Sequence, residues 1–173
     1  MKKLLALVAA AAVATAVSLG VARPAAKATS HTTVLTVAHG PVTSANSSYF
    51  DVPPTGPSVA DTRTYYEVLT RPGSSTAIGY LSGVTTTVAV GKPAAGRELR
   101  TADLVFVIGG ADNQIVVGGI SPYAQRAQTL TKAQTVVRPI IGGSGRYAGA
   151  RGWAVSRHLV NDHWTHTFHL MLP

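Results

Sequence analysis

The sequence predicts an all-β protein, an antiparallel β-barrel of about eight strands behind an N-terminal signal peptide. Helical periodicity is nearly absent after Ala28, and short β-branched runs alternate with Gly, Pro, Asn and Asp clusters. The chain has 173 residues, 46% of them hydrophobic and 13% charged, with 17 Gly, 10 Pro and no Cys. That length suits one domain with a sizeable core, and the composition is not that of a disordered polyelectrolyte. The missing cysteines exclude a disulfide scaffold, a thiol nucleophile and any thiolate metal site.

Residues 1–28 are organised as an export signal. Lys2 and Lys3 precede an uncharged, Ala-rich stretch from Leu4 to Val21, and Ala26-Lys27-Ala28 offers the small residues that a signal peptidase reads. Cleavage is expected after Ala28, with an earlier cut after Ala22 as the alternative, and an uncleaved membrane anchor is the competing reading of so long an apolar run. No later run is long and apolar enough to span a bilayer, so no stable membrane insertion is expected once the signal is removed. The expected location is extracellular.

The formal charge of +8 invites a nucleic-acid reading. Lys2, Lys3, Arg23 and Lys27 leave with the signal, so 145 residues with a net charge of +4 remain. The remaining arginines are scattered and form no basic run, so no nucleic-acid partner is expected.

The first strand expected is Thr32 to Ala38, followed by an irregular connection over residues 40–60, where Gly40-Pro41 and Pro53-Pro54 interrupt any ladder. Thr62 to Thr70 comes next and ends at Pro72-Gly73. Ala77 to Val90 is a long strand, with Gly79 and Gly83 as bends. Leu99 to Ile108 leads through Gly109–Asn113 into Gln114 to Gly118, and Ser121 to Lys132 is loop or a short helical turn. Thr135 to Ile141, Trp153 to Val160 and His163 to Leu170 complete the set, with Asn161-Asp162 as a two-residue hairpin loop. The division is thus 1–28 signal, 29–60 first strand and Pro-rich loop, and 61–173 the rest of one barrel domain.

Alternation along Thr62–Thr70 places Arg63, Tyr65, Glu67 and Leu69 on one face and Thr64, Tyr66 and Val68 on the other. Pointing inward, the first face gives a buried carboxylate whose pKa its surroundings tune; pointing outward, Glu67 is a solvated charge paired with Arg63 or Arg71. Asp103 raises the same question. His158, His163, His166 and His169 cluster near the C-terminus, but alternation splits them between faces, and only a surface pair of His158 with His163 could share a metal. No metal and no cofactor are expected. Gly143-x-Gly145-x-x-Ala148 loosely matches a dinucleotide fingerprint, yet a strand pattern follows it, so no helix N-terminus can hold a pyrophosphate. It reads instead as a tight connection with φ > 0. No Gly-x-Ser-x-Gly elbow supports a hydrolase.

The run Ile140-Ile141-Gly142-Gly143-Ser144-Gly145-Arg146-Tyr147-Ala148-Gly149-Ala150-Arg151-Gly152 resembles the glycine-rich block of the allene oxide cyclase barrel-like family, to which dirigent proteins are related by fold. Gly79–Gly83, Gln114–Gly119 and Trp164–Leu170 fit the family in order, so the resemblance spans roughly Asp61 to Leu170. It implies a calycin-type eight-stranded barrel whose apolar cavity holds a flexible substrate in one productive conformer, an entropy trap rather than acid–base machinery. The expected ligand is a hydrophobic or aromatic small molecule. Any enzyme activity would be cyclase- or isomerase-like. The alternative is a non-catalytic carrier or envelope-associated barrel, and the resemblance also leaves a homo-oligomer open. The plant cyclases' own machinery is absent: their first-strand glutamate has no counterpart in His31–Ala38, Thr85 stands for their pocket cysteine, and Glu67 falls near their asparagine. The residues expected to line or gate the cavity are Tyr65, Glu67, Tyr80, Thr85, Asp103 and Tyr123.

Overall fold

The protein is described here from a computed structural model that covers residues 31–173, so the signal-peptide reading and residues 29–30 lie outside it. The strands are β1 (His31–His39), β2 (Ser47–Phe50), β3 (Thr62–Thr70), β4 (Ala77–Val90), β5 (Arg97–Ile108), β6 (Gln114–Ala124), β7 (Thr135–Gly143), β8 (Arg151–His158) and β9 (Trp164–Leu172). They form one antiparallel sheet in the order β1-β9-β8-β7-β6-β5-β4-β3-β2. Pairing of β1 with β3 at Ala38 and Thr70 closes eight of them into a barrel. Among the described residues no helix is long and apolar enough to cross a membrane.

The ninth strand, β2, is an addition to the expected set. It lies in the Pro-rich connection and pairs Ser47–Phe50 with Tyr65–Thr62 on the outer edge of β3. Three of its four residues are exposed, so it carries no apolar alternation that a sequence reading could use. Together β1 and β2 share one edge of β3, β1 at Thr70 and β2 at Thr62–Tyr65. Glu67 sits at the gap between them. The connection back to β3 is organised by Asp61, whose carboxylate accepts bonds from the Val52 and Ser58 amides and from the Ser58 and Tyr49 hydroxyls.

Two other boundaries differ from expectation. β6 continues to Ala124 through Ser121–Tyr123, where the polar composition suggested a loop, because Ser121 and Tyr123 face inward and pair across to Arg100 and Glu98. The β8–β9 hairpin turns through Leu159–His163, with His158 paired to Trp164 and Asp162 left-handed at φ 66°, rather than through a two-residue loop.

The glycine block behaves as the tight connection expected of it. Gly145, Gly149 and Gly152 have positive φ, and Gly145–Tyr147 forms a single 3-10 turn that drops Tyr147 under one end of the barrel. At Gly152, with φ +121°, a Cβ would meet the His169 carbonyl oxygen on the neighbouring strand, so only glycine lets β8 lie this close to β9.

Inward-facing residues divide the interior into two halves. One half is an apolar plug in which Phe106 and Phe168 meet edge-to-face at 4.8 Å, surrounded by Leu69, Ile115, Ile140 and Leu170. The other half is polar and aromatic. There β6 and β7 part company: their ladder covers only Ile115–Val117 on β6, shifts register, and stops near Pro139, which has no N–H to donate. The segment between them, residues 125–134, crosses this end of the barrel as a strap.

Candidate functional site

The polar half owes its contents to four strands whose alternation is interrupted by charge. On β3 the inward face carries Arg63, Tyr65 and Glu67 before Leu69; on β5 it carries Glu98 and Arg100 before Ala102, Leu104 and Phe106. β7 contributes Arg138, and β9 contributes Trp164 and His166 ahead of Phe168 and Leu170. The inward faces of β3, β5 and β9 therefore start polar or aromatic and end apolar, while β7 sets Arg138 between buried Val136 and Ile140.

The deepest cluster is an ion triad. The Glu98 Oε1 atom lies 3.1 Å from Arg63 Nη2 and 2.6 Å from Arg100 Nη2, and Thr87 donates to the same oxygen while accepting from Arg63. All four side chains are fully buried. The guanidinium of Arg63 stacks over Tyr49 and that of Arg100 over Tyr123, at 4.5 and 4.2 Å from the ring centres. Arg100 also donates to the backbone carbonyls of Ala127 and Gln128.

Above the triad lies a cavity of about 40 Å³, measured by the centre of a water-sized sphere and lined in part by Tyr65, Glu67, Thr85, Tyr123, Arg138 and Trp164. Its roof is the strap. Leu130 plugs it from above, Tyr65 donates its hydroxyl to the Gln128 carbonyl at 2.7 Å, and His158 Nδ1 donates to the Leu130 carbonyl at 2.7 Å. Burial pushes the Tyr65 pKa up to about 12, so this phenol keeps its proton. As closed, the cavity has room for a few waters.

Glu67 is 3% exposed, and burial pushes its pKa up to about 8. Its neighbour His39, 3.5 Å away, moves the other way: burial lowers it to about 4, and the His158 and His163 charges add to the effect. Both shifts favour uncharged partners, so the contact at neutral pH is a carboxylic acid beside a neutral imidazole rather than an ion pair. The Glu67 Oε2 atom accepts from Asn46 Nδ2 at 2.8 Å, and the Asn46 amide is oriented by the Thr43 N–H, which donates to its oxygen. Oε1 has no partner. The acid proton therefore belongs on Oε1.

The histidines form a directed chain. His39 Nδ1 donates to the Gly40 carbonyl, so its Nε2 is an acceptor; it takes the proton of His166 Nε2 at 3.1 Å. His166 Nδ1 is then an acceptor in turn and takes the Ser156 hydroxyl at 2.8 Å. Burial holds His166 well below the usual imidazole range, consistent with this neutral assignment. Trp164 is stacked between His39 and His158, with ring centres 5.7 and 4.5 Å away.

Of the residues singled out from sequence, Tyr65, Glu67, Thr85 and Tyr123 lie along this cavity. Tyr80 and Asp103 do not. Tyr80 stacks on exposed Tyr66 outside the barrel at 5.4 Å, and Asp103 is exposed between inward Ala102 and Leu104. Their misplacement has a simple cause: Tyr80 and Thr85 are an odd number of residues apart on one regular strand and cannot share a face. His158 faces inward onto Trp164, which removes the surface metal pair with His163. Among the described residues no group of three or more His, Asp or Glu is arranged to hold a metal.

Sequence reasoning missed Glu98, Arg100 and Arg138. Glu98 and Arg100 share parity with Ala102, Leu104 and Phe106, and that signal was available had the strand been started at Arg97 instead of Leu99. His39 and His166 carry no local signal for their encounter, which depends on the β1–β9 register pairing Val37 with His166 and His39 with Trp164.

The fold is a closed antiparallel barrel of the kind found in a dirigent protein and in Diels-Alderases, with a polar, aromatic cavity at one end. Among solved structures, it is similar to a pyocyanin demethylase (TM-score 0.62, 17% identity, covering 80% of this chain and 99% of that one). It is equally similar to a pterocarpan synthase dirigent protein, with TM-score 0.62 and 13% identity over 88% of this chain and 99% of that one. The Diels-Alderase AbmU from Streptomyces koyangensis matches at TM-score 0.57 and 18% identity, over 85% of this chain and 71% of that one. No protein-family profile and no curated protein matches the sequence.

Proposed function

We propose that this barrel, exported by its leader, binds a small apolar or aromatic molecule in the strap-covered cavity and steers a cyclisation or coupling by holding it in one conformer. The observation that carries this reading is Glu67: a buried carboxyl with one oxygen fixed by Asn46 and the other free of partners on a cavity wall. A protonated acid at such a place donates a hydrogen bond to a reacting group without first losing its own solvation. Rigid walls supply the orientation, and flanking Tyr65, Tyr123 and Trp164 supply flat apolar surface. The structural neighbours support the reading in general terms, because a dirigent protein and a Diels-Alderase use this fold.

The small closed volume favours a second reading, a non-catalytic barrel whose interior is structural. Native mass spectrometry of protein purified from its own secretome separates the two. A reproducible small-molecule adduct that is lost in Glu67→Ala supports the pocket function. Unliganded protein, unchanged by the substitution, supports the structural barrel.

A further inference from the structure

The cavity wall carries donor-only groups without partners. Among the described residues, Trp164 Nε1 and Arg138 Nε are both buried and have no partner, and their side chains line the cavity wall. Neither group can accept: indole nitrogen and guanidinium only donate. Tyr123 joins them, because its oxygen accepts from Arg138 Nη2 at 2.5 Å and, among the described residues, no acceptor takes its own proton. Glu67 Oε1 is the fourth such position.

The ring-nitrogen acceptors on the same wall are already engaged. His39 Nε2 takes the His166 proton and His166 Nδ1 takes the Ser156 proton, while Thr85 Oγ1 donates to the Tyr65 oxygen at 3.3 Å, because the Tyr65 proton goes to Gln128. A ligand that brought only donors would find hydroxyl lone pairs to receive them but would leave the indole and guanidinium N–H groups unmatched. A ligand that brought a cation would also face the Arg138 guanidinium. Leaving a buried donor unmatched costs about 1–3 kcal/mol, so these groups discriminate between ligands of equal shape.

We infer that the cavity selects a flat apolar molecule that presents a hydrogen-bond-accepting oxygen, a conjugated carbonyl or its enolate, to Trp164, Arg138, Tyr123 and Glu67. This rests on the pocket reading above and narrows it to a ligand class. The geometry assigns Trp164 Nε1–H and Arg138 Nε–H as the selecting donors, with Leu81 and Leu104 contacting the hydrocarbon body.

Three probes of nearly the same shape test it: acetophenone, ethylbenzene and 1-phenylethylamine. Each is titrated into the ¹⁵N-labelled protein and into Leu130→Ala, which enlarges the cavity, and binding is followed at the Trp164 indole N–H resonance, assigned with Trp153→Phe. The expected result is that the ketone binds at least ~10-fold more tightly than the hydrocarbon and moves the indole N–H downfield, while the amine binds weakest. In Arg138→Met, the ketone preference shrinks. Equal binding of ketone and hydrocarbon, or a preference for the amine, overturns the ligand class while leaving a pocket in place. Failure of all three probes in both proteins overturns the pocket reading and this inference with it.

Discussion

His39 and His166 meet ring to ring inside the barrel, Nε2 to Nε2 at 3.1 Å and nearly parallel, and the contact works only while both are neutral. One nitrogen must give a proton and the other must accept it. A second proton on either ring would place two donors face to face in a buried site.

This fixes the acid side of a stability profile. His39 has a folded pKa of about 4 against an ordinary 6.5, so the unfolded chain binds more protons between those values and stability falls as pH drops through that window. His39 alone is worth roughly 3 kcal/mol, and His166 acts in the same direction. Glu67 acts oppositely. Its folded pKa of about 8 lies above the ordinary 4.5, so its contribution is full below 4.5 and is lost as pH rises toward 8. Between 4.5 and 6.5 it offsets part of the histidine loss; above 6.5 it acts alone. Thermal melts from pH 4.5 to 8.5 should peak near 6.5, and Glu67→Gln should flatten the alkaline limb. A wild-type melting temperature that climbs between pH 6.5 and 8 would refute the neutral-acid assignment.

Removing the carboxylate of the ion triad should be severe. Glu98→Gln leaves Arg63 and Arg100 both charged, fully buried and without their anion, at a cost of about 3–5 kcal/mol. Urea unfolding monitored by circular dichroism measures this directly. A loss below ~1 kcal/mol would mean that water reaches the triad.

Leu130 is the strap's only fully buried side chain, so Leu130→Ala should separate capacity from stability. The expected cost is about 2–4 kcal/mol, accompanied by tighter or faster binding of apolar probes such as ethylbenzene. Stability comes from denaturation and binding from calorimetry. Weaker probe binding would show that Leu130 forms part of the ligand contact rather than the obstruction.

Two glycines of the same block should respond differently. Gly152→Ala forces a Cβ onto the His169 carbonyl at positive φ and should lower stability by more than ~2 kcal/mol or prevent folding. Gly142→Ala meets nothing within 4 Å and should cost less than ~1 kcal/mol. Matched melting curves decide the point, and equal effects would count against the close β8–β9 approach.

Asp103→Asn and Tyr80→Phe change only the outer surface, and both should leave probe affinity within twofold of wild type. Calorimetry with acetophenone is the check. A larger change at Asp103 would return that residue to the cavity.

The fold was legible because strands and turns announce themselves locally: Pro72-Gly73, Gly109–Asn113 and the glycine block punctuate β-branched runs of regular parity. β2 was not, since an edge strand with an exposed, unpatterned face differs from loop only by whom it bonds to. The site was half legible. Tyr65 and Glu67 follow from parity on one strand, whereas the histidine chain and the Arg138–Tyr123 bond join residues brought together only by register between strands. Asp103 and Tyr80 misled because a residue type suited to chemistry was given more weight than the face it occupies.

The strap reaches the interior mainly through its backbone. Arg100, Tyr65 and His158 grip the carbonyls of Ala127, Gln128 and Leu130, groups that every residue possesses. Side chains in this segment other than Leu130, and other than Gln125, Gln128, Lys132 and Gln134, which bond to Arg97, Ser48, Asp162 and Pro122, can therefore be exchanged without disturbing what anchors it or what closes the ring. Ligand preference and foldability become separable traits, and a lineage, or an experimenter, can reshape the mouth of the barrel while its wall stays the same.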